Sequence, residues 1–214
     1  VEKYANFYGV ACGEKNVLFT NNDSAYETAI SLYQKGINIE AVIDNREEID
    51  SKLIKEIEKN NIKVYKGYTV VDTSGYKRIN KISIMQLSKD GQKVTGSKTS
   101  IDCDCLGISG GWTPAVHLFT QSGGKLKFRE EDQVFIPNIY PTDQISLGSC
   151  KGDFTLNEIF SNVPKDLKEF LNIKKTDYEN LEVNSSFNKS KRNIWLLPSD
   201  KVIGKTKPFV DYQN

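Results

Sequence analysis

Between residues 16 and 65 the apolar pattern changes period four times. Asn16-Val-Leu-Phe-Thr20 is a short continuous apolar run, after which Ala25, Ala29, Ile30, Leu32 and Tyr33 recur at mostly helical spacing until Gly36. Ile37 to Ile43 is a second β-rich run, ending in Asp44-Asn45-Arg46. Ile49, Leu53, Ile54 and Ile57 next form one stripe on a charged helix, and Ile62-Lys-Val-Tyr65 alternates like a strand. Strand and helix faces repeat every two and every 3.6 residues, so a single kind of element cannot satisfy both patterns. A compact βαβαβ order predicts a parallel, doubly wound sheet with right-handed crossovers.

Beyond Tyr65 the pattern becomes antiparallel. Tyr76 to Leu87 and Val94 to Ile108 predict alternating strands about the turn Lys89-Asp90-Gly91. Cys105-Leu-Gly-Ile108 leads into Ser109-Gly110-Gly111-Trp112-Thr113-Pro114, a Gly/Pro turn at a strand end. Short strands are expected at Val134 to Ile136 and Ile145 to Leu147, and Phe154 to Phe160 predicts a helix with Thr155 as its cap. From about Val163 the Lys/Asn/Ser-rich sequence reads as an irregular connector, with Ile194-Trp195-Leu196-Leu197-Pro198 its one strongly apolar stretch. The chain opens on Val1, and Ala5-Asn-Phe-Tyr-Gly9 reads as a helix end, so an internal stretch of a longer polypeptide is expected.

The charge balance removes several function classes. Lys and Arg number 29 against 28 Asp and Glu, a net charge of +1, which gives no electrostatic case for nucleic acid or an anionic membrane. No apolar run approaches the roughly 20 residues of a membrane-spanning helix. One His and four cysteines (Cys12, Cys103, Cys105, Cys150), with no CxxC pair, argue against a zinc site. The cysteines read as reduced thiols of a cytoplasmic protein. His117, in Ala115-Val-His-Leu-Phe119, reads as a packed or surface histidine. With no P-loop, GxSxG, HExxH or Cys–His pair, neither a catalytic residue nor a metal ligand is assigned.

The loop after the first strand is the leading site candidate. In dinucleotide-binding βαβ units, GxGxxG turns the chain tightly and lets the pyrophosphate approach a helix N-terminus. Here Thr20, Asn22 and Ala25 occupy the three fingerprint positions. The side chains of Thr20, Asn21, Asn22 and Ser24 offer hydrogen bonds to a phosphate, whereas Asp23 opposes an anion unless it serves as the cap. Asp44, 24 residues beyond Thr20, stands where an acid accepts hydrogen bonds from an adenosine ribose, favouring NAD over NADP, while neighbouring Arg46 suits a phosphate. An ordinary capped strand–loop–helix accounts for the same residues. Gly110 and Gly111, and Gly148 ahead of Gly152, suit close approach of a ligand or simply tight turns.

Val17-Leu-Phe-Thr-Asn-Asn-Asp-Ser-Ala-Tyr26 resembles the equivalent loop in the large (alpha) subunit of heterotetrameric sarcosine oxidases. Ser109-Gly-Gly-Trp-Thr-Pro-Ala-Val-His-Leu118, Gln121-Ser-Gly-Gly-Lys125 and Lys207-Pro-Phe-Val-Asp-Tyr-Gln-Asn214 resemble further motifs of that family, in the same order. The resemblance implies an α/β, Rossmann-like, two-dinucleotide-binding fold of the glutathione-reductase type with an antiparallel β excursion. It implies an inserted NAD-binding-like domain over residues 1–104. Residues 105–162 would be the returning part of the first FAD/NAD(P)-binding domain, and 163–214 a connector toward partner-contacting segments.

The family oxidises sarcosine to glycine with release of hydrogen peroxide and passes the one-carbon unit to tetrahydrofolate. The resemblance implies NAD on this subunit and FAD and FMN mainly on or with the beta subunit. It implies tetrahydrofolate on a C-terminal domain outside this sequence, and the beta and smaller subunits as partners. Gly148-Ser149 stands where many related flavoproteins carry Gly-Asp, and the first domain's GxGxxG unit is not in this sequence. Two readings follow: an alpha-subunit segment contributing NAD binding and assembly, or a non-catalytic scaffold on a vestigial dinucleotide fold. Large subunits of opine and amino-acid oxidoreductases share the architecture.

Overall fold

A computed structural model describes residues 1–141, 143–173, 194 and 196–200. They divide into two units, one of residues 1–111 with 194 and 196–200, the other of 112–141 and 143–173. The first unit begins with helix α1 (Glu2–Tyr8), which ends on Gly9 in the left-handed conformation at φ +63°. Strand β1 (Asn16–Thr20), helix α2 (Ser24–Gln34), strand β2 (Ile39–Asp44), helix α3 (Ser51–Lys59) and strand β3 (Lys63–Lys66) follow in the expected order. Strands β4 (Tyr68–Gly75), β5 (Ile79–Leu87) and β6 (Val94–Asp102) form an antiparallel meander, and β7 (Cys105–Ser109) closes the unit.

The parallel sheet has the order β3-β2-β1-β7. Every residue of β1 is buried, as a strand covered on both faces requires. Leu18 and Val42 face one way and join Tyr26, Leu32 and Ile57 in the cluster beneath the helices. Val17, Phe19, Ala41 and Ile43 face the other way and join Ile82, Ile84 and Cys103 in the cluster beneath the meander. The period-two alternation of β1 and β2 thus feeds two cores at once. Leu197 packs on the second cluster, whereas Leu196 is exposed.

Several expectations change. The run Val94 to Ile108 is two strands in two sheets, because the chain turns at Cys103–Asp104. There the Asp104 carboxylate accepts backbone N–H bonds from Glu14 (3.0 Å) and Lys15 (2.8 Å) and pins the start of β7 beside β1. Strand β4 lies before Tyr76, which is itself an exposed turn residue. The parallel sheet also keeps residues 105–109, and the two compact units part after Gly111.

The second unit holds helix α4 (His117–Gln121), the antiparallel hairpin β8 (Lys125–Arg129) and β9 (Val134–Ile139), a 3-10 turn at Gly148–Cys150 and helix α5 (Leu156–Phe170). His117 is exposed at the start of α4. Ile145 to Leu147 forms no strand and passes instead into the 3-10 turn. Helix α5 runs past Val163 to Phe170, so the irregular region begins later than expected. The remainder of the expected connector, residues 174–193, 195 and 201–214, lies outside the described residues.

Thr155 caps α5 as expected, within a reciprocal capping box. Its hydroxyl accepts the Glu158 N–H (3.1 Å), and the Glu158 carboxylate accepts the Thr155 N–H (3.1 Å). No residue of α5 is fully buried. Thr155→Ala should cost about 1 kcal/mol, read as faster amide exchange in the first turn of α5. Unchanged exchange there would mean that the cap does not stabilise that turn. Among the described residues no helix is long and apolar enough to cross a membrane.

Candidate functional site

In an open parallel sheet, ligands dock at the carboxyl ends of strands where crossovers leave in opposite directions. The order β3-β2-β1-β7 puts that point between β1 and β7. The strand register sets Asp44, Thr20 and Ser109 in one row across this end. The sequence-assigned residues Thr20 to Ser24, Asp44, Arg46 and Gly110 therefore meet in one place. Gly148 belongs to the second unit, where it takes φ +60° in the 3-10 turn.

Side chains of the β1–α2 loop fill the end of the sheet themselves. Thr20, Asn21, Asn22 and Asp23 are each at most 3% exposed. The Thr20 hydroxyl accepts the Asn22 N–H at 3.1 Å, which closes the turn a glycine would otherwise shape. The Asn21 amide donates to the Gly110 carbonyl at 2.8 Å. The Asn22 amide donates to the Ser109 carbonyl (3.1 Å) and hydroxyl (3.0 Å), and its carbonyl accepts from Ser24 Oγ at 2.6 Å. These bonds tie the loop to the end of β7. Gly111, at φ +121°, completes the exit from that strand in a conformation reserved for glycine.

Asp44 is fully buried, and each of its oxygens has two donors. Oδ1 accepts from Arg46 N (2.8 Å) and Nε (3.1 Å), and Oδ2 accepts from Arg46 Nη2 (2.8 Å) and the Tyr26 hydroxyl (2.9 Å). The same guanidinium reaches Asp23 Oδ1 through Nη1 at 2.8 Å. Burial pushes the Asp44 carboxyl up from its usual range, and Arg46 opposes that shift. Burial and the Asp44 charge hold the Tyr26 phenol protonated. Burial acts to lower the Arg46 pKa, but its bonds to Asp44 and Asp23 prevail and keep it charged.

Tyr26 and Ser109 were not among the sequence-assigned site residues. Tyr26 falls on the apolar stripe of α2, and Ser109 becomes a neighbour of Thr20 only through the β1–β7 register. A signal for Tyr26 existed in its polar hydroxyl on a buried face, which needs a partner.

Whether these residues suit the dinucleotide that the fold accommodates can be judged from their bonds. At the second fingerprint position a glycine leaves room for pyrophosphate, but Asn22 fills that space and is tied on both ends of its amide. One guanidinium faces two carboxyl groups, leaving no positive surplus for a diphosphate. Asp44 has no oxygen free for ribose hydroxyls. The adjoining cleft, lined by Leu18, Ala25, Thr28 and Gly107 among others, holds about 190 Å³. Small-molecule pockets span about 300–1,000 Å³. The residues present do not fit a dinucleotide seated on the α2 N-terminus.

No family model matches the chain. Sarcosine oxidase subunit alpha of Corynebacterium sp. (strain P-1) is 29% identical over 224 residues, covering 100% of this chain and 22% of that protein. The subunit of the same name from Corynebacterium sp. (strain U-96) is 30% identical over 152 residues, 71% of this chain and 16% of its own length. The chain thus spans about a fifth of the length of the curated relatives it matches. Among solved structures, T. acidophilum thioredoxin reductase superposes with a TM-score of 0.53 at 22% identity, covering 77% of this chain and 52% of that one. The chain is a relative of the sarcosine oxidase alpha subunits, built on an α/β fold that it shares with thioredoxin reductase.

Proposed function

We propose that the chain is a structural segment of the alpha subunit of a sarcosine-oxidising complex, an oxidoreductase acting on a CH–NH bond. Its share of the work is assembly. One observation carries this reading: at the switch point of a chain related throughout its length to such subunits, every polar group of Asn22 and Asp44 is already paired within the chain. Amine oxidation with FAD and FMN, one-carbon transfer to tetrahydrofolate and any binding of NAD then fall to other segments and to the beta and smaller subunits.

The whole protein, purified with its co-expressed subunits, is expected to release hydrogen peroxide on addition of sarcosine. Turnover of an opine or another secondary amine in place of sarcosine would transfer the chain to a related oxidoreductase. Full activity of the remaining segments with this one deleted would remove the assembly role.

A further inference from the structure

We infer that Arg46 and Asn22 occupy, inside the chain itself, the places that a dinucleotide's ribose and diphosphate take on this fold, so that the crevice is closed to NAD and NADP. The inference extends the structural role proposed above to the chemistry of one crevice. It does not depend on which amine the complex oxidises.

The argument rests on where the guanidinium sits. On a βαβ unit a dinucleotide runs from a phosphate at the helix N-terminus to a ribose at the acid ending the second strand. Here those two landmarks are Asp23, directly ahead of α2, and Asp44, at the end of β2. Arg46 forms an ion pair with each, Nη1 facing Asp23 Oδ1 and Nη2 facing Asp44 Oδ2, both at 2.8 Å. A single planar group therefore bridges the track that a ribosyl phosphate would follow.

Its chemistry also matches what it replaces. The carboxylate of such an acid takes two donors from the vicinal hydroxyls of ribose. Arg46 Nε and Nη2 are two parallel donors, on Oδ1 at 3.1 Å and on Oδ2 at 2.8 Å. The Tyr26 hydroxyl takes the position left on Oδ2. At the other end Asn22 supplies both a donor and an acceptor where backbone N–H groups would hold oxygen atoms, and both are satisfied by Ser109 and Ser24. A nucleotide would have to break the ion pairs of a guanidinium only 16% exposed before making any bond of its own.

The test is hydrogen exchange in the full-length subunit, read for peptides over residues 19–26 and 44–47. With about 1 mM NAD or NADP, the upper end of ordinary KM values, exchange in both peptides is expected to stay unchanged. Slowing by about tenfold, the effect of ligand at ten times its Kd, would overturn the inference. The double variant Asn22→Gly/Arg46→Ser is the positive arm, in which NAD should slow exchange in both peptides. A folded double variant that ignores NAD would show that these two side chains are not the obstruction, and would also overturn it. If the double variant fails to fold, the wild-type measurement still decides. Sarcosine turnover is scored separately, so its absence removes the proposed function and leaves the closed crevice standing.

Discussion

Replacing Arg46 with alanine is expected to destabilise the parallel-sheet unit by about 3–5 kcal/mol, the cost of leaving a buried charge without its partner. Asp44 is fully buried and Asp23 is 3% exposed, so neither carboxyl can recover its solvation when the guanidinium goes. Lysine at this position should rescue little, because a point charge cannot reproduce the forked bonds to Asp44 and the reach to Asp23.

The loss should depend on pH in a defined direction. Burial already holds the Asp44 carboxyl above its unfolded value of about 4, and removing Arg46 removes the opposing influence. A group whose folded pKa is raised favours the folded state below its unfolded pKa, and that advantage is lost as pH rises through the folded value. The Arg46→Ala variant is therefore expected to lie closer to wild type at pH 5 than at pH 8 in urea denaturation. Adding Asp44→Asn should recover part of the deficit at pH 8, since the amide carries no charge. A deficit below about 1 kcal/mol, or one equal at both pH values, would mean that the pair is solvated and not structural.

Ile43→Ala is the second large expectation. Ile43 is fully buried on the meander side of β2, in one cluster with Phe19, Ile82 and Ile84. Truncation of such a side chain costs about 2–5 kcal/mol, from lost burial and from the cavity left behind. The location makes the result informative. Because the cavity opens between the parallel sheet and the meander, amides of β5 and β1 should exchange faster together. Accelerated exchange in β1 alone, with β5 unaltered, would show that the two sheets open independently and that this cluster does not couple them.

Much of the fold was legible because it is local. The apolar runs at Asn16 to Thr20 and Ile37 to Ile43, and the stripe through Ile49, Leu53 and Ile57, each announce an element by period alone. Thr155 announced its helix as a cap residue, and the structure adds Glu158, three residues on, as the other half of a capping box. Strand β4 was missed because its residues, Tyr68–Gly75, are only partly buried and lack a clean alternation. The break at Cys103–Asp104 was missed because the groups that hold it, the N–H donors of Glu14 and Lys15, lie some ninety residues earlier.

The candidate site divides along the same line. The nearness of Thr20 to Ser24, Asp44 and Arg46 was readable, since the βαβ order alone brings the ends of β1 and β2 side by side, whereas the places of Tyr26 and Ser109 were not. Nor was the state of the site. Whether Asp44 holds a ribose or a guanidinium depends on where the Arg46 side chain turns, and that is set by Asp23 on one loop and Tyr26 on a helix. Whether Asn22 leaves room for a phosphate depends on Ser109, which enters from a strand 87 residues away.

What the sequence determined by itself was the period of each element and hence the doubly wound class of the fold, because backbone geometry makes those patterns nearly exclusive. What only the tertiary structure decided was that the end of the sheet is filled and not open. A buried polar group must find a partner, and which partner it finds is a property of the assembled neighbours, not of its own stretch of chain.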